Sequence, residues 1–325
     1  MALLKRINPF SKQNNDTGFG TNATGYGGRF LNRDGSYNIR REGRSFMHRF
    51  NIYHALLNVP AWKFAMVIFL FYFSINLVYS GIYWWVGVSE FQGIVGQSAW
   101  ARFKEIYFFS TETFTTVGYG RVNPVGDGAN AVAAIEAMTG FLSFAVATGL
   151  IYGRFSKPRA HLLFSDHALV APYQGGTALM FRFASYKENH TLNNVEVLVT
   201  TGFQVQENGN AVYKFYNLPL ERRNIDNLSM NWTVVHPIDE NSPLLGFTAQ
   251  DMETADLELY VTVRGFNDVY ANTVLQRTSY TYQEIAFNRK FVPMYRESDN
   301  GRTTILELHK LDKSVEVVPV PGQPA

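Results

Sequence analysis

The 325-residue chain has no cysteine. That excludes a disulfide framework, thiolate chemistry and any cysteine-based metal site. It also has little net charge, +2 from 29 basic and 27 acidic residues. A nucleic-acid binder that works by bulk positive potential is therefore not expected. The seven histidines do not fall at metal-ligand spacing. There is no nucleophile elbow and no glycine-rich phosphate loop opening a helix. An enzyme and a nucleotide-binding regulatory domain are disfavoured, and no cofactor is expected. Met1 to Phe10 carries basic residues but no apolar core or small-residue cleavage site, so no signal peptide is expected. Mean hydropathy is −0.12 although 46% of residues are hydrophobic. The apolar residues must therefore be concentrated rather than spread along a polytopic chain.

They are concentrated in two places. Ala61 to Val86 carries one charge, Lys63, near its start. Trp62 lies at one end and Tyr83, Trp84 and Trp85 at the other, as in the aromatic belts of a membrane span. Ala129 to Tyr152 is a second such stretch with one charge, Glu136, and with Gly140 and Gly149 permitting close packing or bending. No arginine-rich span is present, which disfavours voltage gating.

Between the two lies Ala101 to Thr115, too short and too polar to cross. It can dip in as a half-helix only if other protein buries it. Its C-terminal, negative dipole end would favour a cation. Next comes Thr116-Val117-Gly118-Tyr119-Gly120. A bare K⁺ ion needs several oxygens in place of its water shell, and backbone carbonyls supply them if all point one way. Gly118 and Gly120 permit the backbone angles this needs. Thr116 can add a hydroxyl oxygen, and Val117 and Tyr119 would pack behind. The pentapeptide is the one widely known from potassium-channel filters, so this is a matched motif and not a derivation of selectivity. K⁺ coordination is assigned to Thr116, Val117, Gly118 and Tyr119. A second copy of the triplet, Gly25-Tyr26-Gly27, sits in a Gly/Asn/Thr-rich tail without flanking spans and reads as a loop.

Charges inside a membrane need partners. Glu112 is expected to pair with Arg121, of the same or a neighbouring subunit, and brace the filter from behind. Phe144 and Tyr152 lie eight apart on a plausible pore-facing stripe, with Gly149 as a bend. A ring of Tyr152 could close the inner mouth by dewetting. Arg154, Lys157 and Arg159 follow the second span, and five arginines precede the first between residues 29 and 44. Both flanks are thus expected on the cytoplasmic side of a multi-pass cell-membrane protein with both termini inside. Arg49, Arg154, Lys157 and Arg159 suit anionic lipid headgroups.

Residues 1–44 read as a cytoplasmic N-terminal segment, with Asn32-Arg33-Asp34-Gly35 as a turn. Residues 45–59 read as an interfacial amphipathic helix on the spacing of Phe46, Phe50, Tyr53 and Leu57. Residues 60–155 form the pore domain. Residues 156–325 carry seven short alternating runs, from Ala178 to Phe183 through Thr304 to Leu308. Breakers such as Gly175-Gly176 and Asn300-Gly301 separate several of them, as in a β-sandwich.

From about residue 29 the chain resembles a prokaryotic inward-rectifier potassium channel. Beyond the filter, the motifs that carry the resemblance are Asn32-Arg33-Asp34-Gly35, Ser110-x-Glu112-Thr113, Phe155-Ser156-Lys157-Pro158-Arg159, His236 to Leu244 (HPIDENSPL) and Arg277-Thr278-Ser279-Tyr280. The resemblance implies an α+β membrane protein: a two-span tetrameric pore domain with a re-entrant pore helix, plus a cytoplasmic immunoglobulin-like β-sandwich. It implies passive K⁺ conduction in a homotetramer, gated at the inner helix bundle and modulated by anionic lipid. Strongly rectifying relatives carry an acidic residue where this chain has Phe144, so strong polyamine or Mg²⁺ block at that site is not implied. Glu136, higher on the span, is left as an acidic group that could contribute block. The competing reading is a membrane-anchored receptor with a ligand-binding β-domain, but an anchor needs neither a filter nor a half-helix.

Overall fold

Long apolar runs and short alternating runs fold separately. The computed structural model divides into one unit of residues 42–157 and another of residues 1–41 with 158–325. It describes residues 8, 10–14, 29–43, 52–188, 190–207 and 210–318. Gly25-Tyr26-Gly27 and residues 45–51, Arg49 included, lie outside these.

The first unit is helical: α1 (Ile52–Asn58), α2 (Ala61–Val86), α3 (Ala99–Phe114) and α4 (Asp127–Phe155). Two of them, α2 and α4, are long and apolar enough to cross a membrane. Helix α4 runs further at both ends than the apolar stretch alone suggests. Asp127 in its first turn and Arg154 in its last complement the helix dipole. A two-residue antiparallel pair, β1 (Phe91–Gln92) with β2 (Asn123–Pro124), joins the segments flanking α3. The Ser98 hydroxyl accepts from the Ala101 amide and caps the start of α3.

Arg154 has an internal task. Its guanidinium donates to the carbonyls of Leu56 (2.6 Å) and Val59 (2.8 Å) and lies 4.6 Å over the Phe64 ring. It thereby closes the C-terminal end of α1, where orphan carbonyls favour a cation. Two of its donors are thus turned onto the protein, while Lys157 and Arg159 are exposed.

The second unit is a sandwich. Its strands are β3 (Leu162–Phe164), β4 (Ala168–Tyr173), β5 (Gly176–Ser185), β6 (Leu192–Glu207), β7 (Asn210–Asn217), β8 (Asn224–Leu228), β9 (Asn231–Pro237), β10 (Glu258–Asn267), β11 (Asn272–Thr281) and β12 (Ile285–Phe287). One sheet runs β11-β10-β6-β7 with β8 on β6, and the other β12-β4-β5-β3 with β9 on β5. Val195, Val197, Leu259 and Val261 of the first face Val170, Leu179 and Phe181 of the second in one core. Strands β3, β4, β8 and β12 lie outside the alternating runs of the sequence. They have three to six residues with little alternation, and pairing to neighbouring strands makes them extended.

The described residues of the N-terminal segment up to Arg41 belong to this unit and are not a separate piece. Leu31 packs with Tyr213, Phe215 and Tyr260. Arg29 pairs with Glu284 at 2.9 Å, and Arg33 with Asp166 at 2.6 Å. The buried Glu258 accepts the amides of Phe30 (3.0 Å) and Leu31 (3.3 Å). Burial holds that carboxyl above the usual range, and those amides pull it back down. Gly35 has φ +81°, and a Cβ there would fall 2.6 Å from the Arg277 carbonyl oxygen. The turn and the Arg277-Thr278-Ser279-Tyr280 motif therefore form one interface, with the Thr278 hydroxyl donating to the Arg33 carbonyl at 3.0 Å.

The stretch from His236 to Leu244 is also structural. His236 is 2% exposed. Its Nδ1 lies 2.5 Å from the Pro219 carbonyl and its Nε2 2.7 Å from the Ser242 hydroxyl. A carbonyl only accepts, so Nδ1 carries the proton and Nε2 accepts from Ser242. Burial lowers the His236 pKa from 6.5. Its stabilising share is thus complete above pH 6.5 and is lost as the pH falls toward the lower folded value. Thermal unfolding of the full chain in detergent is expected to show a larger loss between pH 7 and 5 for wild type than for His236→Asn. Parallel pH profiles would refute that.

Candidate functional site

Helix α3 carries the site to its position. Its last turn ends at Thr115, and Thr116 follows with φ +58°. The Thr116 amide donates to the Thr113 carbonyl (3.0 Å) and the Val117 amide to the Glu112 carbonyl (2.9 Å). This paired 5→2 and 6→1 pattern is a Schellman ending, and its left-handed position normally takes glycine. Here it takes a β-branched residue, a conformation that costs of order 1–3 kcal/mol and persists only where surroundings impose it. Thr116 is thus a third left-handed position beside the two glycines, one that its residue type does not signal.

Gly118 (φ +56°) and Gly120 (φ +79°) repeat the left-handed turn, while Val117 and Tyr119 between them stay outside that region. Alternating handedness has a simple consequence. In an extended strand successive carbonyls point to opposite sides, whereas residues of alternating hand turn them to one side. The segment thus alternates the sign of φ from residue to residue, as a backbone that turns its carbonyls to one side must. Within one chain Val117 is 53% exposed and Tyr119 80%, so this subunit does not supply the packing expected behind them.

The support of α3 differs from expectation. Among the described residues no ion pair joins Glu112 to Arg121. Arg121 Nη1 instead lies 3.7 Å from Glu105 Oε2, and Glu105 also accepts the Val95 amide at 3.0 Å. Within a subunit the expected brace is absent, because Arg121 is turned toward Glu105 in the N-terminal half of α3 and not toward Glu112 near its end.

The carboxylate behind α3 is Glu136 of α4, fully buried. One oxygen accepts from the Tyr83 hydroxyl of α2 (2.6 Å), the other from the Ser110 hydroxyl of α3 (2.5 Å). Asn76 Oδ1 lies 3.1 Å from the same Ser110 oxygen. One side chain thus ties three helices together. Glu136 is therefore not a pore-lining acid that could contribute block, which corrects the expectation above. The available signal was that Glu136 is the single charge of its span and that a buried charge needs partners on facing helices.

Gly140, one turn on, lets α4 approach the end of α3. A Cβ there would meet the Phe114 carbonyl oxygen at 2.0 Å. Gly149 has no such neighbour within the subunit. Phe144 (73% exposed) and Tyr152 (72%) project from α4 beyond the site.

Comparison with known proteins agrees with this architecture. Residues 162–325 match the inward rectifier potassium channel C-terminal domain, and residues 64–157 match an ion channel family. The chain is 32% identical over 280 residues to the inward rectifier potassium channel Kirbac3.1 of Paramagnetospirillum magnetotacticum, covering 85% of this chain and 92% of that one. The chain belongs to the inward rectifier potassium channel family. It is a K⁺ channel of inward-rectifier type and not an enzyme, its permeant ion is K⁺, and its two spans precede a β-rich domain. It is also 26% identical over 343 residues to the human ATP-sensitive inward rectifier potassium channel 12, covering 92% of this chain and 78% of that one. The bovine channel of that name is 26% identical over 299 residues.

Proposed function

We propose that four copies of this inward rectifier surround one pore in the cell membrane, with both termini cytoplasmic. Thr116, Val117, Gly118 and Tyr119 of each copy coordinate K⁺, and Gly120 closes the outer end. The alternating backbone from Thr116 to Gly120 carries this reading, because it turns carbonyl oxygens to one side. Four such rows supply the oxygens that replace the ion's water. The test is flux from purified full-length protein in liposomes. K⁺-selective, Ba²⁺-blockable flux is expected, and equal Na⁺ and K⁺ flux would sink the assignment.

The gate lies at Phe144 and Tyr152, with Gly149 between them. Their exposure within one subunit leaves them available to a shared pore lining. Anionic lipid acts through Arg159 and Lys157. The Lys157 ammonium is 2.9 Å from Asn58 Oδ1, beside the carbonyls that Arg154 holds. A headgroup that draws Lys157 away would loosen α1 from α4. The same liposome assay tests both ideas. Tyr152→Ala is expected to raise closed-state leak. Lys157→Gln with Arg159→Gln is expected to flatten the response to anionic lipid about thirtyfold, given ~1 kcal/mol for each basic residue near such a surface. Unchanged leak would remove Tyr152 from the gate, and an unchanged lipid response would remove the basic pair. Arg49 lies outside the described residues but belongs to the same basic set.

A further inference from the structure

The outer end of the filter is held by a side chain that no motif singles out. Asn123 Nδ2 donates to the Gly120 carbonyl oxygen at 2.7 Å. Only the amide nitrogen can serve there, because a carbonyl cannot donate, so the orientation of the amide is fixed chemically. Gly120 is the last residue of the row, with φ +79°. Its oxygen is the one a cation entering from outside meets first.

Asn123 is itself anchored. It stands opposite Gln92 in the β1–β2 pair, and Pro124 stands opposite Phe91. Between Gly120 and Asn123 the chain runs tightly. A Cβ on Gly93 would come 1.8 Å from the Arg121 carbonyl oxygen. Val122 is buried with Phe91 and Phe109, and Arg121 leans toward Glu105. Downstream, the Glu90 carbonyl accepts the Val125 amide at 2.8 Å. The donor is thus fixed by the packed shell around α3, while the acceptor lies in the filter.

We propose that Asn123 is a positioning residue that fixes the Gly120 carbonyl and so sets cation affinity at the outermost filter site. The inference rests on the filter reading above and adds a determinant outside the pentapeptide. A carbonyl oxygen has two lone pairs. The Asn123 amide takes one and thereby fixes where the other points. A preorganised dipole binds a charge better than one that must first be ordered. Without the amide the oxygen turns freely in the external water. The deeper oxygens, from Thr116 to Tyr119, are unaffected.

The probe is Ba²⁺, applied to one face at a time of full-length channels in planar bilayers. Asn123→Leu keeps the side chain's size and removes the donor, and Asn123→Gln keeps the donor. One net hydrogen bond of about 1 kcal/mol corresponds to about fivefold in affinity. External Ba²⁺ block of Asn123→Leu is expected to weaken by about that factor, with block from the inner face unchanged and Asn123→Gln nearer to wild type. A merely structural role would move both faces together, and that result would overturn the proposal. So would external block that is unchanged or stronger. If Asn123→Leu does not assemble, Asn123→Ala is read in the same way, and failure of all three variants to conduct would make the residue structural. Wild-type protein without K⁺-selective flux would instead defeat the filter assignment itself.

Discussion

Gly140→Ala is expected to reduce K⁺ flux by more than about tenfold, although alanine is the better helix former. On propensity alone the change should stabilise α4 by roughly 1 kcal/mol. The close approach reverses the sign. The added Cβ would sit 2.0 Å from the Phe114 carbonyl oxygen, with the carbonyl carbon at 2.8 Å. Those are backbone atoms in the last turn of α3, and no rotamer change relieves them. Either α4 withdraws or the end of α3 shifts, and Thr116 follows two residues later. Overpacking of this kind costs about 1–3 kcal/mol. Here the strain would be delivered to a segment that already holds a left-handed threonine. Gly149→Ala is the control, since nothing lies within 4 Å of the new atom in the subunit. It should leave stability intact, so any change in its flux reports bending of α4. Liposome flux and thermal unfolding, measured together, decide the matter. A Gly140→Ala channel with wild-type selectivity and rate would show that this contact is not needed.

Glu136→Leu is expected to lower stability by on the order of 2–5 kcal/mol and to impair selectivity. The carboxylate is fully buried and is the acceptor for two hydroxyls on two other helices. Leucine fills the volume but leaves the Tyr83 hydroxyl with no acceptor. Ser110 fares better, because Asn76 Oδ1 is 3.1 Å away. The asymmetry gives a second reading: Tyr83→Phe in the Glu136→Leu background should recover part of the loss, since it removes the stranded donor. Glu136→Gln keeps one acceptor oxygen and should be much milder. Because the group faces α2 and α3, Glu136→Gln should leave Mg²⁺ and polyamine block unchanged. Altered block would return Glu136 to the pore. Wild-type melting and selectivity in Glu136→Leu would show that the three-helix tie is dispensable.

Local sequence determined the elements whose signal is local. A run of apolar residues with aromatic ends dictates a span whatever surrounds it, and α2 covers Ala61–Val86 as read. Period-two runs placed the long strands β5, β6, β10 and β11, with ends extended by pairing. The pentapeptide from Thr116 to Gly120 was legible because its chemistry lies in its own backbone. What sequence could not decide are relations between distant residues. Whether Glu112 or Glu136 stands behind the filter helix depends on which faces of α2, α3 and α4 meet. A charge in the sequence shows that a partner is needed but not where it is. Arg154 looked like a lipid ligand because its neighbours are basic, yet packing beside the end of α1 gave its donors two carbonyls. The N-terminal Asn32-Arg33-Asp34-Gly35 is legible as a turn but its partner is not, and it docks because Gly35 and Arg277, 242 positions apart, are brought together. Propensity and periodicity fix what each segment is. Burial, which charges free energy for every unpaired polar group, decides what each segment touches.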